Sequence, residues 1–566
     1  GSVINDGGNN SGMLIEVGDN IATSGNGAIG VFAQSIGGGG GIAGDTGHTE
    51  QFIQMSGMTA MHGSGGSIGV TLDAGATIQT WGNNAPAMFL QSIGGGGGRI
   101  TNDDGAFIGT AGGSGSGGEI DVTINGSIAV WGVASLGIFA QSVGDATSNA
   151  SIKITVGSTG NVQGGSLFNN SGDISPAVYI DHGGKDGSTP NIVTNNGIMG
   201  SLGGVNGTAV YSAYGYTAVT NNGSMTGDIH LTNNGGSGCF TNNGTFTSGA
   251  SVTVGGCAVT NNGVMIIGGS ATKTTTISGN YEGRGKLLFD ADFASGQSDR
   301  LVVTGNAVVG DTITIRPTSI SNRSMKLLTA TGTLALDPSL AMADSSHLYD
   351  FHAQASGKEM LVKPVANFTA KASGFGRNEK AVAANLQSLF DGGASADTAF
   401  SRLLSVADDA GYAGALKSLA GQGLGAFGAV RFNSSRTFAA NLYGGCQTLQ
   451  LEGRTTDRCG WGRMLVNDTR QDAGTDTLGY KADAWASQTG VQMPLSENAA
   501  LTASIAYEST KFRDGTGSAR ITGDSVVGGL GLLFTPARWE LSAGIDAAYG
   551  LYKSRRPITL GLSEQT

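Results

Sequence analysis

An apolar strand that dissolves into glycine occurs three times, as FAQSIGGGGG at 32–41, FLQSIGGGGG at 89–98 and a decayed FAQSVGD at 139–145. Aligned on Gln34, Gln91 and Gln141, the copies lie 57 and 50 residues apart. The residues upstream align too: GVTLDAGATIQTWGNNAPAMFLQS (69–92) matches EIDVTINGSIAVWGVASLGIFAQS (119–142), with Trp81 and Trp131 each ten before the glutamine. Each block reads as three short strands between Gly or Asn turns, about the size of one solenoid coil. A second repeat then takes over, with TNNG at 194–197, 220–223, 241–244 and 260–263, spaced by 26, 21 and 19. Asn and Gly tolerate left-handed backbone, so a corner at this period lets strands turn and stack in parallel. The expected fold is all-β and begins with a right-handed parallel β-helix. One coil alone does not repay the entropy of ordering it, so stability comes from the array. At about 4.8 Å per coil, residues 1–280 would make a rod on the order of 50 to 65 Å long. Phe32, Phe89 and Phe139 are expected inside the coil, Gln and Ser near its edge, and the glycines as flexible side loops over 37–66 and 94–118, the first places to look for specific contacts.

Charge changes character near 280. Residues 1–280 carry 15 Asp or Glu against 4 Lys or Arg, and the rest of the chain balances at 27 of each. So few cations argue against nucleic acid, where neutralising phosphate supplies most of the affinity. With 39% apolar and 13% charged residues the chain is too hydrophobic to be disordered, and its 99 glycines imply much backbone in turns. No apolar run is long enough for a membrane helix. The chain opens at Gly1 inside repeat-like sequence with no initiator Met or leader, and reads as a fragment missing its start.

At 279–319 the repeat gives way to GNYEGRGKLLFDADFASGQSDRLVVTGNAVVGDTITIRPTS. Tyr281, Gly283, Gly285, Leu287 and Asp290, then Ser298, Asp299, Arg300 and Leu301, with Val303 and Gly305, resemble the C-terminal passenger segment of bacterial type V autotransporters. The resemblance implies a cap on the β-helix that helps it fold after export. The downstream segments are similar to the same family in their order. NEKAVAANLQSLF (378–390) reads as an amphipathic helix with Val382, Leu386, Leu389 and Phe390 on one side, and 415–446 resembles the helix that enters the barrel pore. CGWGRMLVND (459–468) resembles the first barrel strand, marked by Trp461 and Gly462. The organisation expected is therefore 1–280 passenger repeats, 281–365 autochaperone-like cap, 366–458 helical linker and pore helix, and 459–566 β-barrel.

Beyond Trp461 the pattern is that of a barrel without any appeal to family: segments of about ten residues alternate apolar with small or polar between turns. Strands are expected near 459–467, 483–495, 499–512, 520–534 and 538–552. Trp485, Tyr507, Phe512, Trp539, Tyr549 and Tyr552 suit an interfacial girdle, or are ordinary strand aromatics. Family barrels have twelve strands and end on an aromatic residue, whereas LGLSEQT comes after about five. Lipid leaves no room for an unpaired edge, so the expectation is a truncated barrel that continues past Thr566.

Four cysteines allow three pairings; the local ones, Cys239 with Cys257 and Cys446 with Cys459, suit an exported chain, and buried free thiols are the alternative. No catalytic, cofactor or metal constellation emerges. The six histidines (48, 62, 182, 230, 347 and 352) include no His-Glu-x-x-His, and Gly65-Gly66-Ser67-Ile68-Gly69 matches a nucleophile elbow only in a region crowded with Gly and Ser. Asp45, Asp103, Asp104 and Asp145 follow the glycines too irregularly for calcium-binding nonapeptides. The favoured reading is a non-enzymatic surface passenger, adhesive towards host or neighbouring cells, anchored in outer-membrane lipid by its barrel. Barrel-assembly machinery and periplasmic chaperones are partners implied by the family, in a Gram-negative bacterium. Two alternatives stay open: the spine of an exported protease or esterase whose catalytic domain lies upstream, and a polysaccharide-acting β-helix, which would need paired carboxylates on one face. The family's cleavage site, an Asn-Asn in the pore helix, has no match, since that helix offers Asn433 and Asn441 singly, so display without release is expected.

Overall fold

The computed structural model describes residues 3–6, 12–38, 40–43, 63–101, 107–109, 115–144, 150–166, 175–184, 189–270, 272–343, 346–444, 446, 458–474, 476–515, 519–536, 539–560 and 563–565. Most of the two expected glycine loops, together with His48, His62, Asp45, Asp103, Asp104 and Asp145, lies outside them. The chain divides into two compact units, 1–345 with 351–365, and 346–350 with 366–566.

The first unit is a parallel β-helix of three strand columns. The first column starts Met13–Val17, Ile68–Leu72, Ile120–Ile124, Ile152–Val156 and Asn191–Asn195. The second starts Ile21–Thr23, Thr77–Thr80, Ser127–Val130, Asn161–Gly164 and Ile198–Ser201. The third starts Val31–Ile36, Met88–Ile93, Ile138–Val143, Val178–His182 and Thr208–Ser212. Like stacks on like because the repeat fixes the register: Ile68 on Ile120, Val70 on Val122 and Thr71 on Thr123. One face of each strand supplies the core, and Ile68, Val70, Leu72, Ile120, Val122 and Ile124 are all buried. Ser67 of the elbow-like string lies just ahead of a strand in this stack, not in the strand-to-helix turn that an elbow needs.

The columns run through 280 without a break. Thr274–Gly283 carries a third-column segment against Arg300–Val303 and a first-column segment against Ala307–Val309. The change in composition there is not a change in fold. The stack ends where Glu359–Ala366 pairs antiparallel with Met325–Ala330.

The phenylalanine row departs from expectation. Phe32, Phe89 and Phe139 stack on one another with centroids 5.4 and 4.7 Å apart, but on the face of the strand opposite Val31, Met88 and Ile138. They form a separate buried cluster with Leu136 and Ile29, continued by Tyr179 and Tyr211. The serines point the other way, into the corner of the coil, where Ser92 Oγ donates to Gly66 O at 2.8 Å and Ser142 Oγ to Gly118 O at 2.9 Å. Alternation separates the two faces of a strand. When both are buried, it does not say which one is the interior.

Among the described residues the second unit has five helices, α1 (Phe368–Lys371), α2 (Arg377–Asp391), α3 (Asp397–Leu403), α4 (Asp409–Ala420) and α5 (Gln422–Gly444), and an antiparallel sheet. The expected single helix over 415–446 is two helices, because Gly421 adopts φ 64° and caps α4. In α2 the buried face is Glu379, Ala383 and Phe390, while Leu389 faces outward. The aromatic core around it has no signal in the sequence pattern: Phe368, Phe390, Phe400, Tyr349 and Tyr412 pack together, with Tyr349 OH donating to Phe400 O (2.8 Å) and Tyr412 OH to Phe368 O (3.0 Å). Burial of these two phenols raises their pKa values well above the ordinary range, so both keep the protons they donate. Of the sheet strands, Cys459–Gln471, Tyr480–Ser496 and Ala499–Asp514 fall where alternation expects them and run longer, Arg520–Phe534 has the expected bounds, and Leu541–Arg555 is displaced by three residues.

Candidate functional site

Two places in the chain combine unusual packing with buried polar groups: the wall against which α5 lies, and the end of the asparagine ladder. In the sheet, every second residue turns towards α5. On that face stand Ala482, Ala484, Ala486, Gln488, Thr502, Ser504, Ala506 and Glu508, mostly small side chains that let a helix approach. Close approach of α5 leaves no room for a side chain at several glycines. A Cβ on Gly529 would stand 2.8 Å from the Phe438 ring, and one on Gly531 2.7 Å from that of Tyr443. At one end Phe427 packs edge-on against Phe512 and Tyr552, with Val430 and Ile521 completing the contact.

The same wall carries charge. Arg431 of α5 pairs with Glu508 and donates to Ser525 Oγ at 3.0 Å, while Ser434 Oγ donates to Glu508 at 3.0 Å. Ser435 Oγ donates to Asp546 at 2.8 Å, and Asn441 Nδ2 to Gln488 at 3.0 Å. Arg463, on the first strand, closes the helix end by donating to Asn441 Oδ1 (2.9 Å) and Gly444 O (2.7 Å). Cys446 and Cys459 are bonded to each other just beyond, tying the helix end to the first strand. Trp461 lies on this inner face over Gly490, 5.6 Å from the Arg463 guanidinium, and Gly462 faces the other way. The helix is held on this face by an ion pair and hydroxyls together with apolar contacts at Phe427 and Phe438.

The opposite face is apolar and bare. Met464 and Val466 are 78% and 83% exposed, and Val491, Ile505, Leu530, Leu532 and Ile545 are exposed beside them. No helix among the described residues is long and apolar enough to span a membrane, but this face has the character of a barrel's lipid face. Of the expected girdle, Trp485, Tyr507 and Tyr549 stand on it, Trp539 is exposed just before the last strand, and Trp485 packs against Tyr507 at 5.5 Å. Phe512 and Tyr552 belong to the inner face instead, since they lie an odd number of residues from Tyr507 and Tyr549.

In the β-helix, the two asparagines of each TNNG make separate ladders. The first of each pair is buried and donates up the stack: Asn195 to Asn221, Asn221 to Asn242 and Asn242 to Asn261, each at 2.8 Å. The second is exposed and donates down it, Asn262 to Asn243, Asn243 to Asn222 and Asn222 to Asn196. The glycine after them admits no side chain, because a Cβ on Gly223, Gly244 or Gly263 would strike the carbonyl of the glycine one coil below. The buried ladder ends at Asp311, which accepts from Asn261 Nδ2 (2.8 Å), Gly285 N–H (3.1 Å) and Tyr281 OH (3.0 Å). Gly283 is needed beside it, since a Cβ there would overlap the Asp311 carboxylate. Burial raises the pKa of both Asp311 and Tyr281.

The other cap residues surround a second buried carboxylate. Asp299 accepts from Lys273 N–H (2.8 Å) and Asp290 N–H (2.7 Å), and burial pushes its pKa up to about 6. Asp290 pairs with Arg316 at 2.7 Å, Ser298 sits in a short antiparallel hairpin against Ala291, and Leu287 and Leu301 are buried. Asp311, the common partner of three of these groups, is the one that sequence reasoning missed; it lies 30 residues from Tyr281, with no local signal.

Groups with catalytic potential stay dispersed. His182 Nδ1 meets its neighbour Asp181 at 2.7 Å, His347 meets Asp409 at 2.9 Å, and His230 lies 3.9 Å from Asp228. Among the described residues no three His, Cys, Asp or Glu converge as a metal site would require. Cys239 and Cys257, one coil apart, are bonded to each other.

Residues 460–566 match the family model of the autotransporter beta-domain. No curated protein matches the chain. Among solved structures the chain is similar to the Haemophilus influenzae Hap adhesin, at 13% identity and a TM-score of 0.24, over 62% of this chain and 33% of that one, so it spans about a third of that protein's length. Residues 460–566 therefore correspond to an autotransporter beta-domain, and a parallel β-helix precedes them in the chain.

Proposed function

We propose that the passenger acts by contact and not by catalysis, as an adhesin or cell-surface interaction protein that stays attached after export. The observation that carries this reading is a stack of parallel strands from Met13 to Met342, ahead of the β-domain, in which no three His, Cys, Asp or Glu converge among the described residues. Such a stack offers broad, repeated faces suited to surface contact. In this reading 281–365 serves as an autochaperone-like cap: the passenger emerges C-terminal part first, and the Asp311 end of the ladder is the template on which earlier coils assemble. Residues 366–458 form the linker and pore helix, and barrel-assembly machinery and periplasmic chaperones are the partners of 459–566.

The test is display from the natural reading frame on a Gram-negative cell. Adherence to host or sibling cells should exceed that of cells displaying the β-domain alone, and protease treatment of intact cells should abolish the difference. Equal adherence of the two would overturn the reading. Deleting 281–319 should leave the β-domain in the membrane while making the passenger protease-sensitive; a passenger that stays resistant would remove the cap assignment.

A further inference from the structure

The outward face of the second column differs from its neighbours. Over the first five coils it presents Ala22, then Thr77, Gln79 and Trp81, then Ser127, Ala129 and Trp131, then Asn161 and Gln163, then Ile198, Gly200 and Leu202. None is charged. The outward face of the first column bears Glu16, Asp121 and Lys153, the last two paired at 3.5 Å, and that of the third column carries the buried Phe and Gln rows. Residues 1–280 carry 15 acidic and 4 basic residues, and none of them stands on this face over these five coils.

Two features of this face point to a ligand. Trp81 and Trp131 stack with planes 3° apart and centroids 5.0 Å apart, yet are 45% and 37% exposed. Offset stacking leaves part of each indole face uncovered and open to a ligand. The amides beside them are also not used up. In the third column Gln34 donates to Gln91 at 2.8 Å, Gln91 to Gln141 at 2.6 Å, and Gln141 to Asp181 at 2.7 Å. In the second column Gln79 stands between Ala22 and Ala129, which offer it nothing, and Gln163 reaches only the Val130 carbonyl, at 3.3 Å. Asn83, just past Trp81, accepts from Val133 N–H through Oδ1 at 3.0 Å, a contact that does not involve its side-chain N–H groups.

We infer that this face binds an uncharged saccharide chain, with pyranose rings stacked on Trp81 and Trp131 and hydroxyls accepting from and donating to Gln79, Gln163 and Asn83. The chemistry selects that class. Aromatic faces take the C–H face of a sugar, neutral amides take its hydroxyls, and the absence of charge leaves no partner for a sulfated or carboxylated chain or for a basic peptide. The facing sides of the two indoles lie against each other at 5.0 Å, so the sugar C–H groups meet the outer, uncovered parts of the rings. The inference rests on the reading of the passenger as an exposed contact surface and names the chemistry of one contact.

The test is direct binding to the purified chain in detergent micelles, titrated with cellotetraose, chitotetraose and maltotetraose and read by tryptophan fluorescence. At least one should change the emission saturably. Trp131→Ala, and the pair Trp81→Ala with Trp131→Ala, should weaken binding about tenfold or more, whereas Trp485→Ala on the lipid-facing side should not. Thermal melts of the variants identify any loss of fold, and Gln79→Ala, which removes no packing, gives an independent reading that should weaken binding too. Three results would overturn the inference: no binding by any of the three sugars at millimolar concentration, binding unchanged in the double variant, or a tryptophan-dependent change in sedimentation without sugar binding, which would make the face a contact between copies of the chain. Adherence of displaying cells that survives loss of both tryptophans would leave the adhesive reading standing while removing the saccharide.

Discussion

Asn261 donates its side-chain amide to Asp311 at 2.8 Å, and the buried run of asparagines that began at Asn195 ends there. An amide ladder has a donor and an acceptor left over at its ends. A carboxylate is a fitting terminus because it accepts from several directions and donates nothing. Here it takes the last amide, a backbone N–H and the Tyr281 phenol together.

Interior positions of that ladder should be costly to remove. Asn242 accepts from Asn221, donates to Asn261 and donates again to Val264 O at 3.0 Å. Asn242→Ala strands a buried acceptor on Asn261, and urea unfolding should show a loss of about 2 to 4 kcal/mol. Asn243→Ala, on the exposed ladder, should cost about 0.5 kcal/mol or less. Equal costs for the two would mean that the ladder contributes no more than its corner geometry.

At the terminus, identity should matter less than hydrogen-bonding capacity. Asp311→Ala leaves Asn261 and Tyr281 buried without this partner and should destabilise the cap by about 2 to 4 kcal/mol. Asp311→Asn keeps an acceptor for Asn261 and can donate to the Tyr281 oxygen, so it should cost about 1 kcal/mol. The check is protease resistance of the passenger alongside urea unfolding; an Asn variant as weak as the Ala variant would mean that the negative charge itself is needed.

The sequence makes strand columns and sheet strands readable because period-two alternation and Asn-Gly corners are local signals, and the TNNG spacing carries the coil length directly. Facing is harder to read. Phe32 and Phe512 are both apolar, alternating and buried, yet Phe32 sits on the outer side of its coil and Phe512 on the α5 side of the sheet. What buries each is a segment distant in sequence. The same holds for Asp311 and for Glu508, whose partners Tyr281 and Arg431 are found only by folding the chain. Tyr281 and Gly285 were picked out by resemblance; Asp311, which accepts from both, was not.

Acid should favour the cap. In the folded chain burial raises the Asp299 pKa to about 6, against an ordinary 3.8, and Asp311 moves in the same direction. Between those values the folded state holds a proton that the unfolded chain has released, so stability from Asp299 falls as pH rises from about 4 through about 6 and is flat beyond. Lowering pH from 7.5 to 5 should therefore raise the unfolding midpoint of the cap. Asp299→Asn, which has no charge to titrate, should lose part of that rise even though it starts less stable. The same rise in the variant would assign the effect to other groups.

The ion pair inside the β-domain sets up the opposite of a simple deletion experiment. Glu508 is 7% exposed, with Arg431, Ser434 and Thr510 on its carboxylate. Arg431→Ala leaves that charge buried with only hydroxyls, a change that costs about 3 to 5 kcal/mol where an ion pair is fully desolvated and less where water reaches the pore. Removing both charges, as Arg431→Met with Glu508→Gln, should recover most of the loss, since neither group is then left uncompensated. The measurement is the temperature at which the folded β-domain loses its compact mobility on a gel, taken for both single variants and the double. Recovery in the double variant identifies α5 as held by a matched pair; a double variant as weak as the sum of the singles would mean that each side chain acts through separate contacts, with Ser525 and Ser434 carrying what the pair does not.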